Sequence, residues 1–319
     1  MELREKLELI KKNTVEIVTE EELIDLLQKK KNPIAYCGYE PSGPLHLGHL
    51  VTITKLQDLS KVGFKIKILL ADVHAYLNKK GSEEEIKKEV ENWKKTIKAL
   101  NIDAEIILGS SFQFKKEYIL DVIKLARAST INRGLRSMQE IARDIENAAI
   151  SQLLYPLMQV VDIKYLNADV AEGGIEQRKV HMIGKDMKEI INYNFVAIHT
   201  PLITSLKGPG EKMSKSIPGS GISVTDSYEE IKRTIKNAYC PEKKSENNPI
   251  LEISKLIIFP RVKKFIIKRD KKFGSDIEFN NYEELEKEYI KGNLHPLDLK
   301  NTVTDYLEEI ISPIRKNWK

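Results

Sequence analysis

Residues 34–49 read Ile-Ala-Tyr-Cys-Gly-Tyr-Glu-Pro-Ser-Gly-Pro-Leu-His-Leu-Gly-His, and this stretch decides the fold. Residues 34–38 are a short apolar run closed by glycine, the pattern of a strand buried on both faces. The segment 38–48, with Pro41, Ser42, Gly43 and Pro44, cannot continue a strand and reads as a loop. Leu50, Ile53, Leu56 and Leu59 then recur at helical spacing. A buried strand, a loop and a helix make the first step of an α/β layer. Working outward, 65–72 reads as the next strand and 104–109 as a third. Between them lies the clearest helix, 82–100. There Ser82 and Glu85 form a capping box, and Ile86, Val90, Trp93, Ile97 and Leu100 share one face. This alternation predicts an α/β fold: a Rossmann-like parallel sheet covered by helices.

Two charged amphipathic helices, 2–12 and 20–30, precede the sheet. From 114 to 154 the pattern is mostly helical, which predicts a helical insertion at about 112–150, with a further strand at 195–198 beyond it. The loop 208–221 carries four glycines and two prolines. After it the chain reads as helical, with a capping box at Ser227 and Glu230, an apolar face at Ile231 and Ile235, and a last helix opening at Pro296. The expected domains are 1–216, N-terminal helices and sheet, and 217–319, a linker followed by a mainly helical domain.

At 319 residues the chain is long enough for two domains, and 41% hydrophobic with 31% charged residues is a soluble globular composition. No apolar run approaches the roughly 20 residues that span a bilayer. The charged N-terminus lacks the apolar stretch of a signal peptide. Two cysteines, Cys37 and Cys240, make neither a disulfide framework nor a four-cysteine zinc site, so a reducing cytoplasm is expected. The net charge of +5 is compatible with a nucleic-acid partner.

Two motifs carry chemistry. His46-Leu47-Gly48-His49 opens a helix directly after a strand. Free amides and the helix dipole favour phosphate there, and the imidazoles can donate to phosphoryl oxygens as charge builds on a leaving group. Taken alone, it could be a helix that merely begins with histidines. Lys212-Met213-Ser214-Lys215-Ser216, in the glycine-rich loop, places two lysines where they can neutralise a triphosphate; taken alone, it could be a solvated basic loop. In this order, with a helical insertion between them, the pair resembles the signatures of class I aminoacyl-tRNA synthetases, which implies in-line attack of a carboxylate on an α-phosphorus, a step that needs positioning and charge neutralisation. Leu47 stands where the first signature usually has isoleucine, and Ile217-Pro218-Gly219-Ser220 is not the usual continuation of the second.

HxGH followed by KMSKS resembles the class I aminoacyl-tRNA synthetases. Longer blocks narrow the resemblance to the compact archaeal and eukaryotic-type tyrosyl-tRNA synthetases: residues 36–43, 69–75, 155–162 and 173–179. It runs nearly end to end. It implies a ligase that makes tyrosyl-adenylate from L-tyrosine and ATP with Mg²⁺, then charges tRNA(Tyr), as a cytoplasmic homodimer. It implies that Tyr36 and Asp162 hold the phenol hydroxyl, that Tyr155, Gln159 and Gln177 hold the ammonium group, and that Gly38, Leu69, Ala71 and His74 line the pocket. His46, His49, Lys212 and Lys215 are the implied catalytic groups, and Glu40, Gly48, Met213 and Ser214 join them around ATP. If 155–162 is helical, Tyr155, Gln159 and Asp162 share one face. The tryptophanyl relatives, which share the signatures, have no use for the Tyr36–Asp162 pair.

The stretch 261–272 holds seven basic side chains and one acidic, with Phe273 next, a credible single-stranded RNA platform. The resemblance implies that Phe273 and His295 sandwich an anticodon base, that Asp298 reads it, and that Arg136, Arg178 and Lys179 lie near the acceptor end. Pro296 and Asp298 also suit the first turn of a helix with no RNA role. Two other classes share part of this pattern. Small nucleotidylyltransferases use HxGH but lack the distant KMSKS, and a non-catalytic RNA-binding module would be expected to have lost a signature histidine or lysine.

Overall fold

The structure is a computed structural model that describes residues 1–138, 149–210, 217–269 and 275–318. The described chain divides into two compact units. One comprises residues 1–43 and 55–201, the other residues 44–54 and 202–319.

The first unit is built on a six-stranded sheet. In chain order its strands are β1 (Glu16–Val18), β2 (Ile34–Tyr39), β3 (Lys65–Leu70), β4 (Ala104–Leu108), β5 (Val170–Gly174) and β6 (Val196–Thr200). The spatial order is β1-β6-β5-β2-β3-β4, parallel throughout except for the antiparallel edge strand β1. This is the Rossmann-like α/β architecture expected. Strand β3 ends at Leu70, two residues before the expected limit, because Asp72 already opens a helix. Strand β5 was not foreseen: Glu172 and two glycines interrupt the apolar pattern that usually marks a strand.

The helices are α1 (Leu3–Lys11), α2 (Glu20–Lys29), α3 (Leu47–Val62), α4 (Asp72–Leu77), α5 (Glu83–Ala99), α6 (Lys116–Ala128), α7 (Ile131–Met138), α8 (Ile150–Tyr165), α9 (Arg178–Asp186) and α10 (Lys188–Ile191). The Ser82–Glu85 capping box forms as expected, and Ile86, Val90, Trp93 and Ile97 of α5 are buried. Trp93 packs against Tyr39 at 5.3 Å and donates its indole N–H to the Gly43 carbonyl at 2.9 Å. The α5 face thereby pins the loop that leaves β2. Helices α6 and α8 bury Tyr118, Val122 and Leu125 with Leu157, Val161 and Asp162 against the sheet residues Tyr36, Leu69 and Ala171.

The second unit contains α11 (Tyr228–Asn237), α12 (Pro249–Ile253), the hairpin β7 (Phe265–Ile267) and β8 (Ile277–Phe279), α13 (Tyr282–Lys291) and α14 (Pro296–Arg315). The Ser227–Glu230 capping box forms, and Pro296 opens α14. Leu299, Val303, Leu307 and Ile311 recur every four residues and are fully buried. The hairpin was not foreseen, because β7 lies inside the basic stretch.

Candidate active site

In an open parallel sheet, ligands bind beyond the carboxyl ends of the strands, where the order reverses. Here β2 is followed in the chain by β3 on one side, while β5 lies on the other. The switch point is therefore bounded by Gly38 on β2 and Gly173–Gly174 on β5. Gly38 is exposed, although Ala35, Tyr36, Cys37 and Tyr39 beside it are buried. A Cβ at Gly38 would stand 2.6 Å from the Tyr36 hydroxyl oxygen, so only glycine leaves that hydroxyl its place.

Helix α8 supplies the opposite wall. Tyr155 and Asp162 are buried on it as the spacing required, and Gln159 donates to Gln177 Oε1 at 3.0 Å. Asp162 is fully buried. Its Oδ1 accepts from Gln113 Nε2 and from the Tyr118 hydroxyl, each at 2.8 Å. Its Oδ2 has no hydrogen-bond partner. Sequence reasoning missed Gln113 and Tyr118. The only traces were a glutamine set between Phe112 and Phe114, and a tyrosine on the apolar face of α6.

His74, in the first turn of α4, lies edge-on to Tyr155 with ring centroids 4.5 Å apart, and its Nε2 is 3.7 Å from Asp162 Oδ2. Burial lowers the His74 pKa to about 4 and raises that of Asp162 to about 7, so a neutral imidazole faces a carboxyl poised near neutrality. Burial, and then the Asp162 carboxylate, also push the Tyr36 hydroxyl pKa well up. Leu69 and Ala71, at the end of β3, are buried in the same cluster as Tyr36. Glu40 accepts from Asn78 at 3.0 Å and lies 3.6 Å from Lys80, and burial raises its pKa. The switch point thus gathers Tyr36, Gly38, Leu69, Ala71, His74, Tyr155, Gln159, Asp162 and Gln177 in the first unit.

In the second unit, His46 precedes α3, and its Nδ1 accepts from the Gly48 amide at 3.1 Å. His49 Nδ1 accepts from the His46 amide, also at 3.1 Å, and the two rings lie 3.8 Å apart. Because each Nδ1 accepts, each ring carries its proton on Nε2 when neutral, which makes Nε2 a donor suited to a phosphoryl oxygen. A Cβ at Gly48 would come within 2.9 Å of the His46 ring, so this glycine makes room for its own motif. The segment after the glycine-rich loop pairs with this motif. Leu47 N donates to Ile222 O at 3.1 Å, Val224 N donates to Leu45 O at 2.9 Å, and His46 bridges to Ser223. A cavity of about 300 Å³ is lined there by His46, Pro44 and residues between Ile217 and Asp226. Lys212, Met213, Ser214 and Lys215 lie outside the described residues, as does Phe273.

The remaining expected positions are on the surface. Arg136 is exposed on α7, and Arg178 and Lys179 are exposed at the start of α9. His295 is the N-cap of α14, its Nδ1 accepting from Leu297 N at 3.1 Å, and Asp298 stands in the first turn.

A family model described as tRNA synthetases class I (W and Y) matches residues 28–312. The chain belongs to that family. This class I tRNA synthetase is 48% identical to the tyrosine–tRNA ligase of Archaeoglobus fulgidus, over 99% of this chain and 98% of that one. Its structure matches the crystal structure of the A. fulgidus tyrosyl-tRNA synthetase complexed with L-tyrosine at a TM-score of 0.96, covering 100% of both chains. The tyrosyl-tRNA synthetase of Aeropyrum pernix matches at 0.89 with 41% identity, over 99% of this chain and 94% of that one. Class I tRNA synthetases use ATP. Among the described residues, no helix is long and apolar enough to cross a membrane.

Proposed function

We propose that this class I synthetase is a tyrosine–tRNA ligase. The carboxylate of L-tyrosine attacks the α-phosphorus of ATP, the α–β phosphoanhydride bond breaks and pyrophosphate leaves. The 3′-terminal adenosine hydroxyl of tRNA(Tyr) then attacks the tyrosyl carbonyl and AMP leaves. The observation that carries the substrate choice is Asp162 Oδ2, a buried acceptor without a partner on the wall facing Tyr36. A phenol hydroxyl satisfies it, whereas a phenyl ring leaves it unpaired at roughly 1–3 kcal/mol.

In this reading Tyr36 and Asp162 hold the phenol, and Gly38, Leu69, Ala71 and His74 wall the ring. Tyr155, Gln159 and Gln177 take the ammonium group. Glu40, His46, Gly48 and His49 serve ATP, with Lys212, Met213, Ser214 and Lys215 on the triphosphate. The chain's main contribution is charge placed where pyrophosphate departs, which lowers the barrier more than it strengthens binding. Among the described residues, no group of three or more His, Cys, Asp or Glu side chains is placed to hold a metal ion. Mg²⁺ would accompany ATP, bound to its phosphates.

Arg136, Arg178 and Lys179 would meet the acceptor end of the tRNA, and Phe273, His295 and Asp298 the anticodon. Residues 1–216 would form the catalytic domain and 217–319 the anticodon-binding domain. A homodimer is supported by the outer side of α6, where Ile119, Leu120 and Ile123 are exposed although Tyr118, Val122 and Leu125 on the same helix are buried. A cytoplasmic location goes with this role. Exchange of labelled pyrophosphate into ATP tests the assignment. Exchange that depends on tyrosine and not on tryptophan is expected, and exchange with neither would refute it.

A further inference from the structure

Away from the pocket, a run of buried polar groups ends at the edge strand β1. Its register sets Glu16 opposite His199 of β6. Glu16 Oε1 accepts from His199 Nδ1 at 2.9 Å and forms an ion pair with Arg178, whose Nε lies 2.6 Å away. His199 Nε2 meets His181 Nδ1 at 2.9 Å, with the two rings stacked at 5.1 Å. Both imidazoles are buried, and burial lowers both pKa values, that of His181 to about 3. A carboxylate has no proton to give, so the His199 proton is on Nδ1. His199 Nε2 then accepts from His181, and the order of donors is fixed from end to end.

Two observations indicate that this network does more than hold an edge strand. The Arg178 side chain is 48% exposed and that of Glu16 27%, so solvent screens the ion pair and it adds little to stability. Two buried imidazoles are a large investment of desolvated polar surface behind so weak a contact. In addition, Arg178 and Lys179 are exposed in the first turn of α9, at the positive end of the helix dipole, where an incoming anion is favoured. The network also reaches the pocket's rim. A Cβ at Gly173 would stand 3.0 Å from Gln177 Cγ and 3.6 Å from His181 Cε1, so both side chains pack over the same glycine.

We propose that Glu16 is a positioning residue for tRNA: its carboxylate, braced by His199 and His181, holds the Arg178 guanidinium by Nε and presents its Nη groups to the acceptor end. This rests on the reading that Arg178 contacts tRNA. The ion pair narrows the rotamers that an exposed arginine would otherwise lose on binding, so the tRNA complex forms at lower entropic cost. It gives no advantage to tyrosine activation.

Glu16→Gln is the selective variant, because the amide oxygen still accepts from His199 while the charge that holds Arg178 is gone. Aminoacylation of a tRNA(Tyr) transcript, pyrophosphate exchange and melting temperature are measured on Glu16→Gln, Arg178→Ala and the double variant. The KM for tRNA is expected to rise about threefold to fivefold in Glu16→Gln, the scale one exposed ion pair can supply by pre-organisation, with exchange within about twofold of the parent. In the Arg178→Ala background the Glu16 substitution is expected to have almost no further effect on the KM for tRNA, since both act through one guanidinium. Independent, additive effects would overturn the proposal, as would loss of exchange in proportion to charging, which marks a general loss of structure. If Arg178→Ala raises the KM for tRNA and Glu16→Gln does not, the positioning role alone fails. If Arg178→Ala leaves the KM for tRNA unchanged, the acceptor-end contact itself fails and the proposal falls with it.

Discussion

Asp162 and Asp298 are both helical aspartates assigned to substrate recognition, one in each unit, and their surroundings differ sharply. Asp162 sits deep in α8 with no exposed surface, two donors on one oxygen and none on the other. Asp298 sits in the first turn of α14, part-exposed, three residues after the histidine that caps the helix. A buried carboxyl with an unpaired oxygen is costly unless a ligand completes it, so function is the economical explanation. A first-turn aspartate is already stabilised by the helix dipole and needs no ligand to explain it. Burial, more than residue type, decides how much a polar side chain reveals.

The largest effect should come from the buried member of the pair. Asp162→Ala is expected to lower kcat/KM for tyrosine in pyrophosphate exchange by about tenfold to a hundredfold, the cost of an unpaired buried hydroxyl. Removing a donor from the same carboxylate should have a smaller effect of the same kind. Gln113→Ala is expected to reduce the same kcat/KM by about tenfold, because Asp162 loses one of the two hydrogen bonds that orient it. A variant with parent-like exchange kinetics would show that the Tyr118 hydroxyl and the surrounding packing orient Asp162 without Gln113.

Asp298→Ala should separate the two regions. Aminoacylation is expected to fall about fivefold to tenfold through the KM for tRNA, with little change in pyrophosphate exchange. Were the aspartate only part of a helix terminus, the melting temperature would drop slightly, by the equivalent of roughly 0.3–1 kcal/mol, and charging would track stability. Phe273→Ala, if that ring stacks on a base, should weaken tRNA use by roughly 1–3 kcal/mol.

The smallest effect is a pH dependence. Burial raises the Asp162 pKa from 3.8 to about 7, so the carboxylate proposed to accept a hydrogen bond from the phenol becomes dominant only above neutrality. The KM for tyrosine is expected to fall about threefold between about pH 6 and pH 8, and Asp162→Asn to flatten that slope. His74, neutral down to about pH 4, adds nothing in this range. Stability runs the other way. A carboxyl whose folded pKa is raised binds its proton more tightly in the native state, so its contribution declines as pH rises from about 4 to about 7.

Much of the sheet was legible because β2, β3 and β4 are short apolar runs with clear ends, and α5 and α11 announce themselves through capping boxes. Strand β5 was hidden because it carries Glu172 and two glycines, each there for local reasons that override strand propensity. Strand β1 is three residues long and takes its partner from a strand far along the chain. The pocket was half legible. Tyr155, Gln159 and Asp162 came from the family resemblance, with spacing adding only that they share one helical face, whereas Gln113 and Tyr118 reach Asp162 from another segment and obey no local period. The locked tautomers of His46 and His49 were equally invisible, since they follow from backbone amides rather than from residue types.

The most direct test of Asp162 as the reader of the phenol hydroxyl is the ratio of kcat/KM for tyrosine over phenylalanine in pyrophosphate exchange, measured on the parent and on Asp162→Ala. An unpaired Oδ2 that rejects the phenyl ring predicts a ratio that collapses by at least about tenfold, with activity toward phenylalanine nearly retained. Equal losses with both amino acids, leaving the ratio unchanged, would contradict it.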